Sequence, residues 1–507
     1  MDAAALLKKQ AQAHPEKTAF VFRGEEFTFS RLKNTVFALA SALSAQGIGK
    51  GDKVALYLPG CPEYIFSYLA VWCAGAVAVP LDFMLTAEEL VSCLGHCEAK
   101  VLIAREKAGV FASGLKDRLP LLASVFVSNH KETSLSSGIF AFEKLLKEEG
   151  AFPAFPSPAD SDPAIIFYTS GTTGKPKGVL INYRQLEAPP KAMEYFVDLN
   201  GEDIALCALP FSHLGGLIYI QGCLVYALTF VLMERFIPTE FLKIVQEKKI
   251  TCFWIVPSMY YALLQLKEFE SFDLSSLRWV VTFGASSSPE ALRRFQKFCP
   301  GAQLLNGWGM TETNAPSVVL PRGSAKIESV GRPAPWVEIC ILDDSGTQAP
   351  PGTIGEVAVR GWVVTDGYFK DPELTAETMR GGWFHTGDLG RIDAEGDLFI
   401  VGRKKEMIKV GGEIVFEPEV ESVLLRHPAI AEAAVVGVPD KLRGEVPKAW
   451  IVLKEGAVLS AEDLRYFCRE HLARFKIPHQ IEFLPVLPKN RSGKTDKEQL
   501  RCRPAAN

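Results

Sequence analysis

The sequence has almost no excess charge of either sign. Its 507 residues carry 55 Lys and Arg against 59 Asp and Glu, a formal net charge of −4, so no bulk field draws it to nucleic acid. It also lacks the bias of a disordered chain, with 48% apolar and 22% charged residues, ordinary values for a globular protein. The 41 Gly and 32 Pro show no short period, which excludes a collagen and gives no sign of a repeat array. A disulfide framework is missing too. The 11 cysteines are odd in number and scattered among apolar segments, which points to a reducing, cytoplasmic compartment. Residues 1–9 have neither the apolar stretch nor the cleavage site of a signal peptide. Cys93, His96 and Cys97 lie close together, but no second pair at ligand spacing follows, so no zinc site is expected.

Apolar runs long enough for a membrane are nearly absent. In residues 214–233 only Gln221 and Thr229 are clearly polar, but Gly215 and Gly216 open the stretch, Gly222 sits inside it, and Glu234 and Arg235 end it. A buried helix over 216–226 followed by a buried strand over 228–233 fits this pattern. Residues 64–73 and 76–80 repeat the helix-then-strand sequence, so no transmembrane span is expected.

What is present is alternation. Residues 53–58, 101–104, 164–168, 204–208, 252–256 and 279–283 read as buried strands, and helical periodicity fills the gaps, as at 29–46 and 289–299. Such alternation implies parallel sheets with helices on both faces. From 331 to 402 the texture changes to short strands (337–342, 356–360, 398–401) separated by turn signals. After 402 the α/β alternation resumes. The chain is too long for one core. The expected architecture is α/β: a large N-terminal domain of doubly wound sheets (1–402) with a β-rich subdomain (331–402), then a small α/β C-terminal domain (403–507).

The sharpest local signal is Thr169-Ser170-Gly171-Thr172-Thr173-Gly174-Lys175-Pro176-Lys177-Gly178, directly after a buried strand. Glycines let backbone N–H groups approach an anion, hydroxyls donate to phosphate oxygens, and lysines offset their charge. The Walker pattern cannot be threaded through it.

This loop resembles the phosphate loop of the AMP-forming adenylating enzymes, the family of acyl- and aryl-CoA synthetases, luciferases and peptide-synthetase adenylation domains. The family's other motifs follow in order along essentially the whole chain. Asn306-Gly307-Trp308-Gly309-Met310-Thr311-Glu312 is similar to its Y-G-x-T-E segment, with Trp in place of Tyr. The resemblance implies that Trp308 stacks on adenine, Thr311 contacts phosphate and Glu312 holds Mg²⁺. The glycines on both sides of Trp308 suggest an open turn. Gly284-Ala285-Ser286 resembles the segment lining the adenine and acyl pockets. Trp383-Phe384-His385-Thr386-Gly387-Asp388 matches the H-T-G-D segment, in which Asp388 would accept from both ribose hydroxyls. Gly402-Arg403-Lys404-Lys405 matches the hinge segment, with Arg403 on ribose or phosphate and Lys405 at the hinge. Pro488-Lys489-Asn490-Arg491-Ser492-Gly493-Lys494 matches the P-K-x-x-x-G-K segment and makes Lys494 the catalytic lysine.

The resemblance implies two half-reactions. A carboxylate attacks the α-phosphate of ATP to give acyl-AMP and pyrophosphate; then a thiol, that of coenzyme A, attacks the acyl carbon and releases AMP. The small domain is expected to be mobile and to turn about the hinge between the two steps. Lys409, Gly411, Gly412, Lys441 and Arg443 are the expected coenzyme A contacts, with Glu413 and backbone near Gly444 and Glu445. The stretch Val415-Phe416-Glu417-Pro418-Glu419-Val420-Glu421 departs from the family's usual order, which has proline directly after the aromatic. For the acid, Pro210-Phe211-Ser212-His213-Leu214-Gly215-Gly216-Leu217 contains no carboxylate to pair with a substrate ammonium, so an amino acid is not expected. His213 resembles the acyl synthetases' pocket histidine, and Leu217, Trp254, Met259, Tyr260 and Gly284 are the other expected walls. They suit an apolar acid, foremost a medium- or long-chain fatty acid, with an aryl acid left open. Loading of a carrier protein's phosphopantetheine remains the rival. A non-catalytic nucleotide-binding relative would have lost Lys494 or Glu312. The partners expected are small molecules, and a homodimer stays open.

Overall fold

The structure is a computed structural model. It describes residues 1–105, 115, 117–128, 138–146, 152, 154–169, 177–284, 289–314, 316–411, 413–440, 442–490 and 495–503.

Four sheets organise these residues. The first has seven strands in the order Ile139–Ala141, Ser124–Ser128, Val101–Arg105, Lys53–Tyr57, Val77–Pro80, Pro163–Thr169 and Lys177–Asn182. All pairs are parallel except the last, where Thr169 pairs with Lys177 in an antiparallel ladder. The alternation of strand side chains explains its apolar runs. Val54, Leu56, Ile103 and Ile165 point into one core, whereas Ala55, Tyr57, Leu102, Ala104 and Ile166 point into another.

The second sheet has nine strands in the order Arg332–Pro333, Val318–Val319, Gln303–Trp308, Trp279–Thr282, Cys252–Ile255, Ile204–Cys207, Thr229–Leu232, Thr18–Phe22 and Glu25–Thr28. Its interior is parallel and both edges are antiparallel, so the parallel strands expected from the alternation form its interior. The large core joins this sheet to the seven-stranded one through helices Phe29–Ala45, Pro62–Cys73 and Leu214–Tyr226. The last of these is the membrane-length run. Ala227 takes a left-handed conformation (φ 56°) that ends the helix before strand Thr229–Leu232. Among the described residues no helix is long and apolar enough to cross a membrane.

The β-rich region is a five-stranded antiparallel sheet built from Glu338–Leu342, Gly355–Arg360, Trp383–Ile392, Met379–Arg380 and Leu398–Arg403. Arg332–Pro333 belongs to the nine-stranded sheet instead. The fourth sheet holds Glu413–Phe416, Met407–Val410, Gly444–Leu453, Ile430–Asp440 and Gln480–Phe483, covered by helices Glu417–Leu424 and Ala461–His471. Prolines begin many helices, among them Pro62, Pro238, Pro257 and Pro289, where a missing N–H and fixed φ cost nothing.

All eleven cysteines carry free thiols, and only Cys502 is exposed. The His96 Nδ1 lies 2.7 Å from the Tyr168 hydroxyl. Among the described residues no cluster could hold a metal ion.

Candidate active site

Four neighbouring parallel strands, Ile204–Cys207, Cys252–Ile255, Trp279–Thr282 and Gln303–Trp308, present their carboxyl ends along one edge. Open α/β sheets hold ligands at such an edge. His213 follows the first of these strands, Met259 the second and Gly284 the third, while Trp308 ends the fourth.

Two glycines bring the His213 turn onto its neighbours. A Cβ on Gly216 would lie 2.4 Å from the Pro210 carbonyl oxygen, and one on Gly215 would lie 3.0 Å from the Phe283 ring. His213 therefore begins helix Leu214–Tyr226 beside the segment leading to Gly284, which sits at φ +88°. The His213 ring is 41% exposed, yet Nε2 is buried 3.7 Å from Asp82 Oδ2, with no hydrogen-bond partner among the described residues. Of the other expected walls, Met259 is 7% exposed. Leu217 and Trp254 are corrections, because both are sealed at 0% exposure within the large core. The Trp254 indole N–H donates to Met193 Sδ at 3.0 Å and its ring meets Tyr219 and Trp279 edge-on. Tyr260 is likewise buried, at 1% exposure.

Trp308 is a second correction. It lies in no open turn. It is the last residue of a strand, pairs with Val318, and is 7% exposed against Val330, Ala334 and Val337. Its indole N–H donates to Asp388 Oδ2 at 2.8 Å, and Arg403 Nε lies 2.8 Å from the other carboxylate oxygen. The H-T-G-D segment delivers that carboxylate through a bulge. The register shifts between Glu356 and Ala358, the Thr386 hydroxyl donates to Val357 O at 2.7 Å, Gly387 takes φ +70°, and Asp388 N–H returns to Thr386 Oγ1 at 3.0 Å. Arg403 is the cross-strand partner of Asp388, so both side chains share a face.

Asn306 is buried and its amide donates to Ser329 O at 3.2 Å, while Gly307 pairs with Val319. Beyond Gly309, Met310 N–H donates to Thr313 Oγ1 at 3.0 Å and fixes the short turn Thr311–Thr313. Glu312, in that turn, is 8% exposed, and its Oε1 accepts from the Tyr368 hydroxyl at 3.0 Å. Burial pushes its carboxyl pKa up. Nothing local in the sequence marks Tyr368, since its partner lies 56 positions away. Its segment also fixes strand Lys177–Asn182: Phe369 N–H donates to Gly178 O at 2.7 Å and Thr365 N–H to Glu312 O at 2.8 Å. Glu312 is thereby tied to the start of that strand. Thr169 ends the incoming strand. Ser170, Gly171, Thr172, Thr173, Gly174, Lys175, Ala285, Gly412, Lys441 and Lys494 lie outside the described residues.

In the fourth sheet, Lys409 is exposed, its N–H donating to Glu445 Oε2 at 3.1 Å. Gly411 (φ +60°) donates to Arg443 O at 2.8 Å, so these residues share one end of the sheet. The Arg443 guanidinium sits 2.5 Å from His479 Nε2. Lys405 lies in the exposed turn Lys404–Glu406.

Residues 7–369 match the model of the AMP-binding enzyme family, and residues 419–494 match the AMP-binding enzyme C-terminal domain. The chain belongs to the AMP-binding enzymes. Among the family's curated members, a long-chain-fatty-acid–CoA ligase of Bacillus subtilis is 34% identical over 98% of this chain and 93% of its own. A feruloyl-CoA synthase of an Amycolatopsis species is also 34% identical, over 98% and 97%. Among solved structures, the anthranilate CoA ligase AuaEII in complex with anthranoyl-AMP superposes with a TM-score of 0.92 at 28% identity, covering 99% of this chain and 96% of that one. The o-succinylbenzoate CoA synthetase of Bacillus subtilis, in complex with its acyl-adenylate, does so with a TM-score of 0.86 at 30% identity, over 98% of both chains. The family's large N-terminal and small C-terminal parts are thus both present in this α/β fold.

Proposed function

We propose that this AMP-binding enzyme is an ATP-dependent acid–thiol ligase, an AMP-forming acyl-CoA synthetase. A substrate carboxylate oxygen bonds to the α-phosphorus of ATP and pyrophosphate leaves. The coenzyme A sulfur then bonds to the acyl carbon, and AMP leaves with the C–O bond electrons. The observation that carries this reading is the Asp388 carboxylate held between Trp308 and Arg403, with Glu312 buried on the adjoining turn. Such chemistry needs positioning and charge stabilisation, with no protein nucleophile.

In this reading Asp388 accepts from the ribose hydroxyls, Trp308 offers its face to adenine, and Arg403 faces ribose or phosphate. Thr169 to Lys175 and Thr311 surround the phosphates, and Lys494 stabilises charge as the α-phosphate is attacked. Mg²⁺ fits at Glu312. That carboxylate is buried against a neutral hydroxyl donor, and a bound cation would offset the cost of burying its charged form. Bound there, the metal would neutralise phosphate charge. The boundary and hinge fall at Arg403–Lys405, about which the C-terminal domain turns to present Lys409, Gly411 and Arg443 to coenzyme A. The free thiols support a reducing, cytoplasmic setting.

The acid is apolar. A fatty acid accords with the relatives that are fatty-acid ligases. A second reading, an aryl acid, is favoured by the burial of Leu217 and Trp254 in the large core, which withdraws two of the expected walls of a long pocket, and it accords with the feruloyl-CoA synthase among the relatives. The test is pyrophosphate release over octanoate, decanoate, benzoate and amino acids, each with and without coenzyme A. Release with the apolar acids and thioester only with coenzyme A is the expected result. Preference for an amino acid, or acceptance of a carrier protein in place of coenzyme A, would overturn it.

A further inference from the structure

Glu417 stands directly after Phe416, where the sequence departs from its family's usual proline. It begins helix Glu417–Leu424 and is 1% exposed. Its Oε2 accepts from Lys497 Nζ at 3.0 Å, and its Oε1 accepts from Arg501 at 2.7 Å and from Gly437 N–H at 3.3 Å. Lys497 is shared with Glu421 at 2.7 Å, and Glu421 Oε1 also takes the Val435 N–H at 2.8 Å. Burial works against the Lys497 ammonium, but Glu421, Glu417 and Glu406 outweigh it and keep it charged. Glu406 belongs to the turn that carries Lys405.

A buried cluster of this kind is a poor source of net stability, since desolvation cancels most of the attraction and apolar packing would serve as well. Directional charged bonds add placement instead. The short helix Lys497–Cys502 buries only Leu500, against Ala434, Val436, Trp450 and Leu487. The chain before it is pinned as well. Lys489 bridges Thr495 across an isolated ladder pair and binds Glu432, and Asp496 N–H donates to Pro488 O at 2.8 Å. These ties fall on either side of Lys494 in the sequence, and Lys497 is three positions beyond it.

We propose that Glu417 is a positioning residue for adenylation: by gripping Lys497 and Arg501 it sets where the Lys494 ammonium is delivered. The inference rests on the reading of Lys494 given above. Misplacing a catalytic group by about 1 Å can cost about 100-fold in rate, so a selective defect is expected.

The test uses the full-length enzyme with Glu417→Gln, Glu417→Asp, Lys494→Ala and the Gln/Ala double variant. ATP–pyrophosphate exchange reads the first half-reaction, and thioester formation from supplied acyl-AMP reads the second. Glu417→Gln should lower the exchange kcat about tenfold or more with KM for ATP within about twofold, and spare thioester formation. Glu417→Asp should recover part of the loss, and the double variant should exchange no worse than Lys494→Ala alone. If Glu417→Gln does not fold, the same split is read on Arg501→Gln, whose side chain is 31% exposed. Equal loss of both half-reactions, no loss, or a double variant below Lys494→Ala overturns the inference while leaving Lys494 as the catalytic lysine. Intact exchange in Lys494→Ala overturns that assignment and the inference with it.

Discussion

Replacing Trp308 by Phe removes one N–H donor from a carboxylate that is only 5% exposed, at a bond of 2.8 Å between two buried side chains. A hydrogen bond to a charged group contributes roughly 1.5–3 kcal/mol, and each 1.4 kcal/mol is about tenfold in an equilibrium or rate ratio. If Asp388 binds ribose, Trp308→Phe should lower kcat/KM for ATP roughly 10- to 100-fold by these figures. Part of that loss is stacking area rather than the bond, so the decisive measurement is a double-mutant cycle with Asp388→Asn. ATP–pyrophosphate exchange supplies the rates, and calorimetric Kd values for AMP supply affinities where exchange is too slow. A coupling of roughly 0.5–3 kcal/mol is expected for groups in contact. Additivity within about 0.5 kcal/mol would refute the claim that the aromatic orients the ribose carboxylate. Arg403, 2.8 Å from the other oxygen, should couple to Asp388 in the same cycle format.

Further outcomes follow from the same geometry. Burial raises the Glu312 pKa in the folded state, so the native protein keeps a proton that the unfolded chain has already released above the usual carboxylate range. Stability therefore falls as pH rises from that range through the native pKa. Glu312→Gln should remove this dependence and raise the stability of the free enzyme at neutral pH by about 1 kcal/mol, while exchange is lost. A Tm profile that keeps the wild-type pH slope would contradict it. Gly331 sits at φ +92°, and a Cβ there would lie 2.1 Å from the Val319 carbonyl oxygen. Gly331→Ala should cost more than about 2 kcal/mol in chemical denaturation, and a change within error would show that the backbone shifts freely. Lys405→Pro fixes φ near −65° and should damage the two half-reactions unequally; wild-type rates in both would place the hinge elsewhere.

The strands were legible because both faces of the parallel sheets are buried, so runs such as Val54 to Leu56 are apolar throughout. The antiparallel edges were not, since a return such as Lys177–Asn182 looks the same along the chain whichever way it pairs. Trp308 misled because Gly307 and Gly309 resemble turn residues. Gly307 instead lies in a paired strand, where an added Cβ would come 3.4 Å from the Val318 carbonyl oxygen. Leu217 and Trp254 suit a pocket wall by sequence because apolar character alone does not say whether a side chain faces a cavity or the core behind it, where both lie. Tyr368 carries no local pattern, and Glu417 shows in the sequence only as a departure from the family's usual proline, with nothing to say what it binds. Their partners lie 56 positions away for Tyr368, and 80 and 84 for Glu417, so only the fold brings them together.

The central claim is that acid activation and thioester formation are separate steps joined by an acyl-AMP. The direct measurement is a single-turnover quench with ATP labelled in its α-phosphate and an apolar acid, first without coenzyme A and then with it. The account predicts that label accumulates as enzyme-bound acyl-AMP with pyrophosphate released, and that coenzyme A converts it to AMP and an equal amount of thioester. Formation of ADP and phosphate, or of thioester with no acyl-AMP preceding it, would contradict the account.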